Sequence, residues 1–304
     1  MKKSFIFSFA LLVFGVSCKE KQASPEANNN YQLSLAEWSY HNALYAGEMT
    51  NLDFAAKAKE LGFTGIEYVS IFFKDKSEDM AYLDSLNAAA KANGVQQVLI
   101  MIDGEGPLAD LNDSIRNQAV ENHKKWVKAA KYLGCHAIRV NAQGTGLPNE
   151  VRDAAVKGLS ALGEFAKAEG INVIVENHGG ISSDGSWLNS VMSAVKMDNV
   201  GTLPDFGNFC IERDTSDYSV CLVSYDKYKG MEEVMPFAKG VSAKSHNFDA
   251  DGNETDIDYP RMMKIIAKSG YKGFIGVEYE GKMLSETEGI IQTKKLLEKC
   301  FAMK

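Results

Sequence analysis

The stretch "INVIVENHGG", residues 171–180, ends a short apolar run in a carboxylate, an amide and an imidazole before two glycines. Ile171, Val173, Ile174 and Val175 alternate poorly with polar residues. That is the pattern of a strand buried on both faces, as in a parallel sheet. Strand side chains alternate, so Glu176 and His178 point the same way. Taken alone, the segment reads as a strand that reaches water and turns at Gly179-Gly180. A parallel sheet makes a further demand, because its strands must be joined by long crossovers, usually helices.

Working outward, the chain meets that demand on both sides. Strand-like segments are read at 33–39, 63–69, 95–103, 136–142, 171–177, 200–205, 240–246 and 273–281. Helical spacing follows at 51–62, 80–93, 114–133, 150–169, 186–195, 230–238, 259–270 and 286–301, with an irregular loop before the sixth helix. Several helices run into Gly62, Gly94, Gly134 or Gly170, the residue suited to a left-handed helix cap. Eight such units in roughly 270 residues predict a closed (β/α)8 TIM barrel over residues 31–304. The open doubly wound sheet usually carries a Gly-rich phosphate loop after its first strand, and "AEWSYHNALYAG" offers none.

Ahead of the barrel, "MKKSFIFSFALLVFGVSC" has a basic start, an apolar core from Phe5 to Val16, then Ser17 and Cys18. This is the order of an export signal. Its end on Cys18 resembles a bacterial lipoprotein signal over residues 1–18, with Gly15 where such signals usually carry Leu. Residues 19–30, "KEKQASPEANNN", read as a flexible tether. The resulting expectation is an exported protein that meets the membrane only through an N-terminal lipid. A net charge of −7 argues against a nucleic-acid backbone as partner. Cys135, Cys210, Cys221 and Cys300 lack zinc-site spacing. Cys210 and Cys221 form the most suitable local disulfide pair, and buried free thiols are the equal alternative.

In such barrels the chemistry sits at the C-terminal strand ends. There the chain places Glu176 on strand five, Asp205 on strand six, Lys244 and His246 on strand seven, and Glu278 on strand eight. Glu280 shares the phase of Glu278, and His178 that of Glu176. Strand four adds Arg139 and Asn141, strand two Glu67, and strand one Trp38 with His41 just beyond. Carboxylates are seldom buried without a partner, and three converging on one mouth repel unless a cation neutralises them. An oxygen-rich set with one imidazole suits Mn²⁺ first, with Mg²⁺, Co²⁺ or Zn²⁺ as alternatives.

With these residues in place, the chain resembles the xylose-isomerase-like TIM barrels of sugar-phosphate isomerases, ketose 3-epimerases and relatives of endonuclease IV. The resemblance runs over about residues 33–301 and is carried by "VIVENHGG", "GTLPDFGNF" and "GFIGVEYEG". It implies a divalent metal held by Glu176, Asp205, a strand-seven residue and Glu278. The family often reads His-x-Lys-Asp on that strand, whereas this chain reads "SAKSH". His246 is the expected ligand. Alignment on Lys244 would instead put Ser242 there, with His178 or a water completing the sphere.

The resemblance also implies removal of a proton beside a carbonyl, through an enediolate. Glu176 and Glu278 are then the expected catalytic pair. Lys244, His178, Arg139 and Asn141 are expected to bind substrate, with Glu67 from strand two and Trp38, Phe206 or Phe209 as stacking surfaces. Export and the lack of an evident phosphate loop favour an unphosphorylated sugar or glycoside. A lyase or hydratase acting on 3-keto-glycosides needs the same residues. Phosphodiester cleavage and non-catalytic sugar binding are the readings from other classes, and the low histidine count disfavours the first. Oligomeric state is not legible.

Overall fold

The computed structural model describes Met1 and residues 31–303. The export signal and tether, Met1 aside, lie outside the described residues. Among these, no helix is long and apolar enough to cross a membrane.

The elements follow in the order β1 (Gln32–Ala36), α1 (His41–Tyr45), α2 (Asn51–Glu60), β2 (Gly65–Val69), α3 (Met80–Asn93), β3 (Gln96–Met101), α4 (Asp113–Leu133), β4 (Ala137–Val140) and α5 (Pro148–Glu169). Then come β5 (Asn172–Glu176), α6 (Gly185–Val195), β6 (Val200–Leu203), β7 (Cys210–Arg213), β8 (Cys221–Ser224), α7 (Lys227–Val234), β9 (Val241–Ser245), α8 (Tyr259–Ser269), β10 (Phe274–Tyr279) and α9 (Glu286–Ala302). Eight of the strands form one sheet in the order β6-β5-β4-β3-β2-β1-β10-β9, and every pairing in it is parallel. The ends meet where Ser242 N donates to Pro204 O at 2.9 Å and Phe206 N donates to Ser242 O at 3.1 Å. This is the expected (β/α)8 TIM barrel.

The barrel has two apolar layers. Inside, Ala36, Val69, Leu99, Met101, Ala137, Ile174 and Leu203 pack together. Outside, the opposite strand faces meet the helices, with Phe54, Trp126, Leu159, Leu188 and Leu297 fully buried among them. Both strand faces are therefore apolar, which is why "INVIV" shows no alternation. Continuing the interior phase by two residues turns apolar positions into polar ones. Ala137 leads to Arg139, Ile174 to Glu176 and Leu203 to Asp205.

The segment read as an irregular loop holds a two-stranded antiparallel hairpin, β7 with β8. Cys210 and Cys221 form a disulfide across it. Cys135 and Cys300 are buried thiols. The hairpin escapes a pattern search because its strands are four residues long and β8 is exposed throughout.

Candidate active site

The barrel mouth is built around two carboxylate–cation pairs. At the end of β5, Glu176 Oε2 lies 2.8 Å from Arg139 Nε on neighbouring β4. The angle there is outside hydrogen-bond geometry, so the contact is a charge pair. Glu176 Oε1 accepts a hydrogen bond from Asn208 Nδ2 at 3.0 Å. On the other side, Lys244 of β9 puts its ammonium 2.8 Å from Glu278 Oε1, 3.0 Å from Glu280 Oε1 and 4.0 Å from Asp205 Oδ2. Lys244 is only 2% exposed, so this charge lies in the barrel rather than in water.

Asp205 closes the ring. Its Oδ1 accepts from the backbone N–H groups of Gly207 and Asn208, both at 2.8 Å, and its Oδ2 accepts from Ser242 Oγ at 2.6 Å. Ser242 Oγ also lies 3.5 Å from Glu278 Oε2. Asn177 fastens this corner, accepting from Asp205 N at 2.8 Å and donating to the carbonyls of Asp205 and Asn208, each at 3.1 Å.

Burial dominates the electrostatics. It raises Glu176 and Asp205 above the ordinary carboxylate range, against the nearby cations. It carries Glu278 up to about 8, with Glu176, Glu280 and Asp205 adding repulsion that the Lys244 charge only partly offsets. Glu280 goes the other way. Burial opposes its ionisation, but Lys244, His246 and a Trp38 hydrogen bond hold it down at about 2. His178 is pushed down to about 4 by burial and by the charges of Arg139 and Lys244, so its imidazole is neutral near pH 7. The mouth thus carries carboxyl groups of opposite tendency a few ångströms apart, an arrangement that separates proton donors from acceptors.

The structure assembles most of the residues singled out by sequence. Glu176, Asp205, Glu278, Lys244 and Arg139 converge as described. Asn141 joins through Asp103, donating to its Oδ1 at 2.8 Å, while Arg139 donates to the same oxygen at 2.9 Å. Asp103, just past β3, was not singled out, although it too ends a strand in a carboxylate. Trp38 stacks on His41 at 5.0 Å and on Phe72 at 6.0 Å, forming an aromatic wall beside Glu280.

Glu67 and the two phenylalanines are placed away from the open mouth. Glu67 takes a 2.5 Å hydrogen bond from Ser34 Oγ and fills the space over Gly276, where a Cβ would come within 2.7 Å of its oxygens. Ser34 and Gly276 lie two residues before the mouth, so Glu67 sits below the site and is 1% exposed. Burial raises it to about 7. Phe206 packs edge-on to Tyr259 at 5.3 Å, and Phe209 is buried against Gly230. Neither is open to a sugar.

Register fixes the strand-seven position of the expected metal set. The bridge between Asp205 and Ser242 fixes the register, so Ser242 and not His246 stands between Asp205 and Glu278. His246 lies further out, where its effect is felt by Glu280. A serine hydroxyl is a weaker ligand than an imidazole for Mn²⁺ or its neighbours. The Lys244 ammonium already stands among Asp205, Glu278 and Glu280, so a second cation brought to those carboxylates would meet its charge. Among the described residues, no three His, Cys, Asp or Glu side chains are arranged to hold a metal ion. As placed, Asp205, Ser242 and Glu278 surround the Lys244 ammonium.

The site can be set beside known proteins. A solved 3-keto-D-glucoside 4-epimerase from E. coli superposes with a TM-score of 0.64 at 15% identity, covering 83% of this chain and 95% of that one. A xylose isomerase-like TIM barrel protein from Mycobacterium smegmatis, solved in complex with magnesium, gives a TM-score of 0.65 at 14% identity, covering 90% and 98%. At such identities the likeness is one of fold. In sequence, a C-glycoside deglycosidase alpha subunit from Arthrobacter globiformis is 36% identical over 66 residues, 21% of this chain and 19% of that protein. The matched stretch therefore spans about a fifth of that relative. The xylose isomerase-like TIM barrel family profile matches residues 55–300, the whole barrel from α2 onward. This chain belongs to the xylose isomerase-like TIM barrel family.

Proposed function

We propose that this protein is a sugar isomerase or epimerase that moves a proton at the carbon beside a carbonyl, acting on an unphosphorylated keto-sugar or 3-keto-glycoside. The observation that carries the reading is the pair of buried carboxyl groups, Glu176 and Glu278, each held by its own cation. Glu176, beside Arg139, is the base that takes the proton from carbon. The electron pair of that C–H bond moves onto the carbonyl oxygen. Glu278, raised to about 8, holds a proton near neutral pH and is the acid that returns one. The neutral imidazole of His178 and the amide of Asn141 orient hydroxyl groups, and the Trp38 wall takes the apolar face of the sugar.

The structurally similar 3-keto-D-glucoside 4-epimerase supports a keto-sugar substrate. The deglycosidase match favours a second reading, in which the same proton abstraction is followed by loss of an aglycone and Glu278 serves the leaving group. Incubating keto-sugars and 3-keto-glucosides with the protein in deuterated water, followed by NMR, separates these readings. Loss of the α-proton signal with inversion indicates an epimerase, and aglycone release a lyase. No exchange with any carbonyl sugar would refute both. We further propose that the protein acts outside the cytoplasm, tethered through Cys18.

A further inference from the structure

We infer that the ammonium of Lys244 takes the place of a divalent ion in this barrel, so that the centre stabilises its oxyanion with a side-chain cation alone. The inference rests on the proton-transfer reading above but is tested separately from it. Its basis is the placement of charge at the mouth. Lys244 sits inside the ring of Asp205, Glu278 and Glu280, at 4.0, 2.8 and 3.0 Å, nearly sealed from water. The strand-seven position facing Asp205 and Glu278 is a hydroxyl, Ser242, which donates to Asp205 instead of offering an imidazole lone pair. The imidazole on that strand, His246, follows the end of β9 at Ser245, with its Nε2 toward Gly207. Gly207 leaves room for the lysine stem, since a Cβ there would come within 3.1 Å of Lys244 Cδ. The site therefore has a built cradle for an ammonium.

In the reaction this cation has a definite task. The C–H bond breaks, its proton goes to Glu176, and its electron pair moves onto the carbonyl oxygen. Lys244 donates a hydrogen bond to that oxygen and remains protonated, so no external cation is needed for charge balance. A preorganised cation at a developing oxyanion is an effective electrostatic catalyst.

The test is Mn²⁺ binding to the full-length protein by calorimetry, together with melting temperature before and after chelation. No stoichiometric Mn²⁺ binding and an unchanged melting temperature are expected. One tightly bound Mn²⁺ per chain, or a melting temperature that falls on chelation, would overturn the inference whether or not the protein turns over a sugar. With a substrate in hand, deuterium exchange should survive chelation. Exchange abolished by chelator and restored by Mn²⁺ would defeat the inference while leaving the proposed function standing. Lys244→Met should lower exchange by about 10²-fold or more, and Lys244→Arg should recover part of it because the charge is kept. Equal loss in both folded variants would count against the charge role. Ser242→His combined with Lys244→Met should gain Mn²⁺ binding. Should that double variant fail to fold, the wild-type titration still decides.

Discussion

Replacing Arg139 by Met removes the cation shared by Glu176 and Asp103 while keeping much of the side-chain volume. The Arg139 side chain is 5% exposed and Glu176 1%, so water cannot take over the pairing lost by Glu176, whereas Asp103 is partly open. Breaking a buried pair from one side leaves an uncompensated charge and costs about 3–5 kcal/mol. At about 2–4 °C per kcal/mol for a domain of this size, the melting temperature should fall by roughly 6–20 °C near neutral pH. The sign of the pH dependence follows from the two carboxyls. Burial works against Asp103, but Arg139 outweighs it and holds Asp103 below its ordinary value. That stability is present above the ordinary value and lost as pH falls through the lowered one. Glu176 is raised by burial despite Arg139, and loses stability as pH rises through its raised value. Without Arg139 it is raised further. Both effects make the variant weakest, relative to wild type, at neutral and alkaline pH, with the gap closing only as pH falls below the ordinary carboxylate range. Circular-dichroism melts across that range provide the assay. A loss that is absent at neutral pH, or of equal size at every pH, would refute the charge-pair account.

Other consequences are open to direct measurement. Glu37, fully buried and bonded to Asn51 and the backbone N–H of Val69, is pushed up to about 8 by burial. Its stability contribution is complete below the ordinary carboxylate value and is lost as pH climbs through about 8. Glu37→Gln should therefore flatten the fall of the unfolding free energy with pH, read from urea melts, by up to about 1.4 kcal/mol per pH unit, and an equally steep profile would contradict the assignment. Trp38→Ala should raise KM more than it lowers kcat if the wall only binds the sugar, and a pure kcat effect would move Trp38 into the chemistry. Cys18→Ser should shift the protein from the membrane to the soluble exported fraction, and unchanged membrane association would remove the lipid anchor.

The barrel was legible because its elements obey local rules. Helices stop where Gly94, Gly134, Gly170 and Gly270 adopt left-handed backbone, and doubly buried strands show unbroken apolar runs. Strand-end carboxylates were legible for the same reason, since a charge directly after such a run has few structural uses. What stayed illegible is position that depends on neighbours. Period two places Ser242, Lys244 and His246 on one face, and only the bridge to Asp205 selects Ser242 as the residue between the carboxylates. Glu67 has the phase of a site residue, but Ser34 and the bare backbone of Gly276 draw its carboxylate below the mouth. Asp103 and Asn177 act through partners on other strands, which no single segment reveals.

The central claim is that two buried carboxyl groups with separate cations divide the proton transfer between them. Its most direct measurement is exchange of the substrate α-proton with deuterated water, compared in wild type, Glu176→Gln and Glu278→Gln. The account predicts an asymmetric result. Glu278→Gln should still exchange the α-proton while failing to invert the centre or release an aglycone, and Glu176→Gln should lose exchange altogether. Full turnover in both folded variants, or surviving exchange in Glu176→Gln alone, would contradict it.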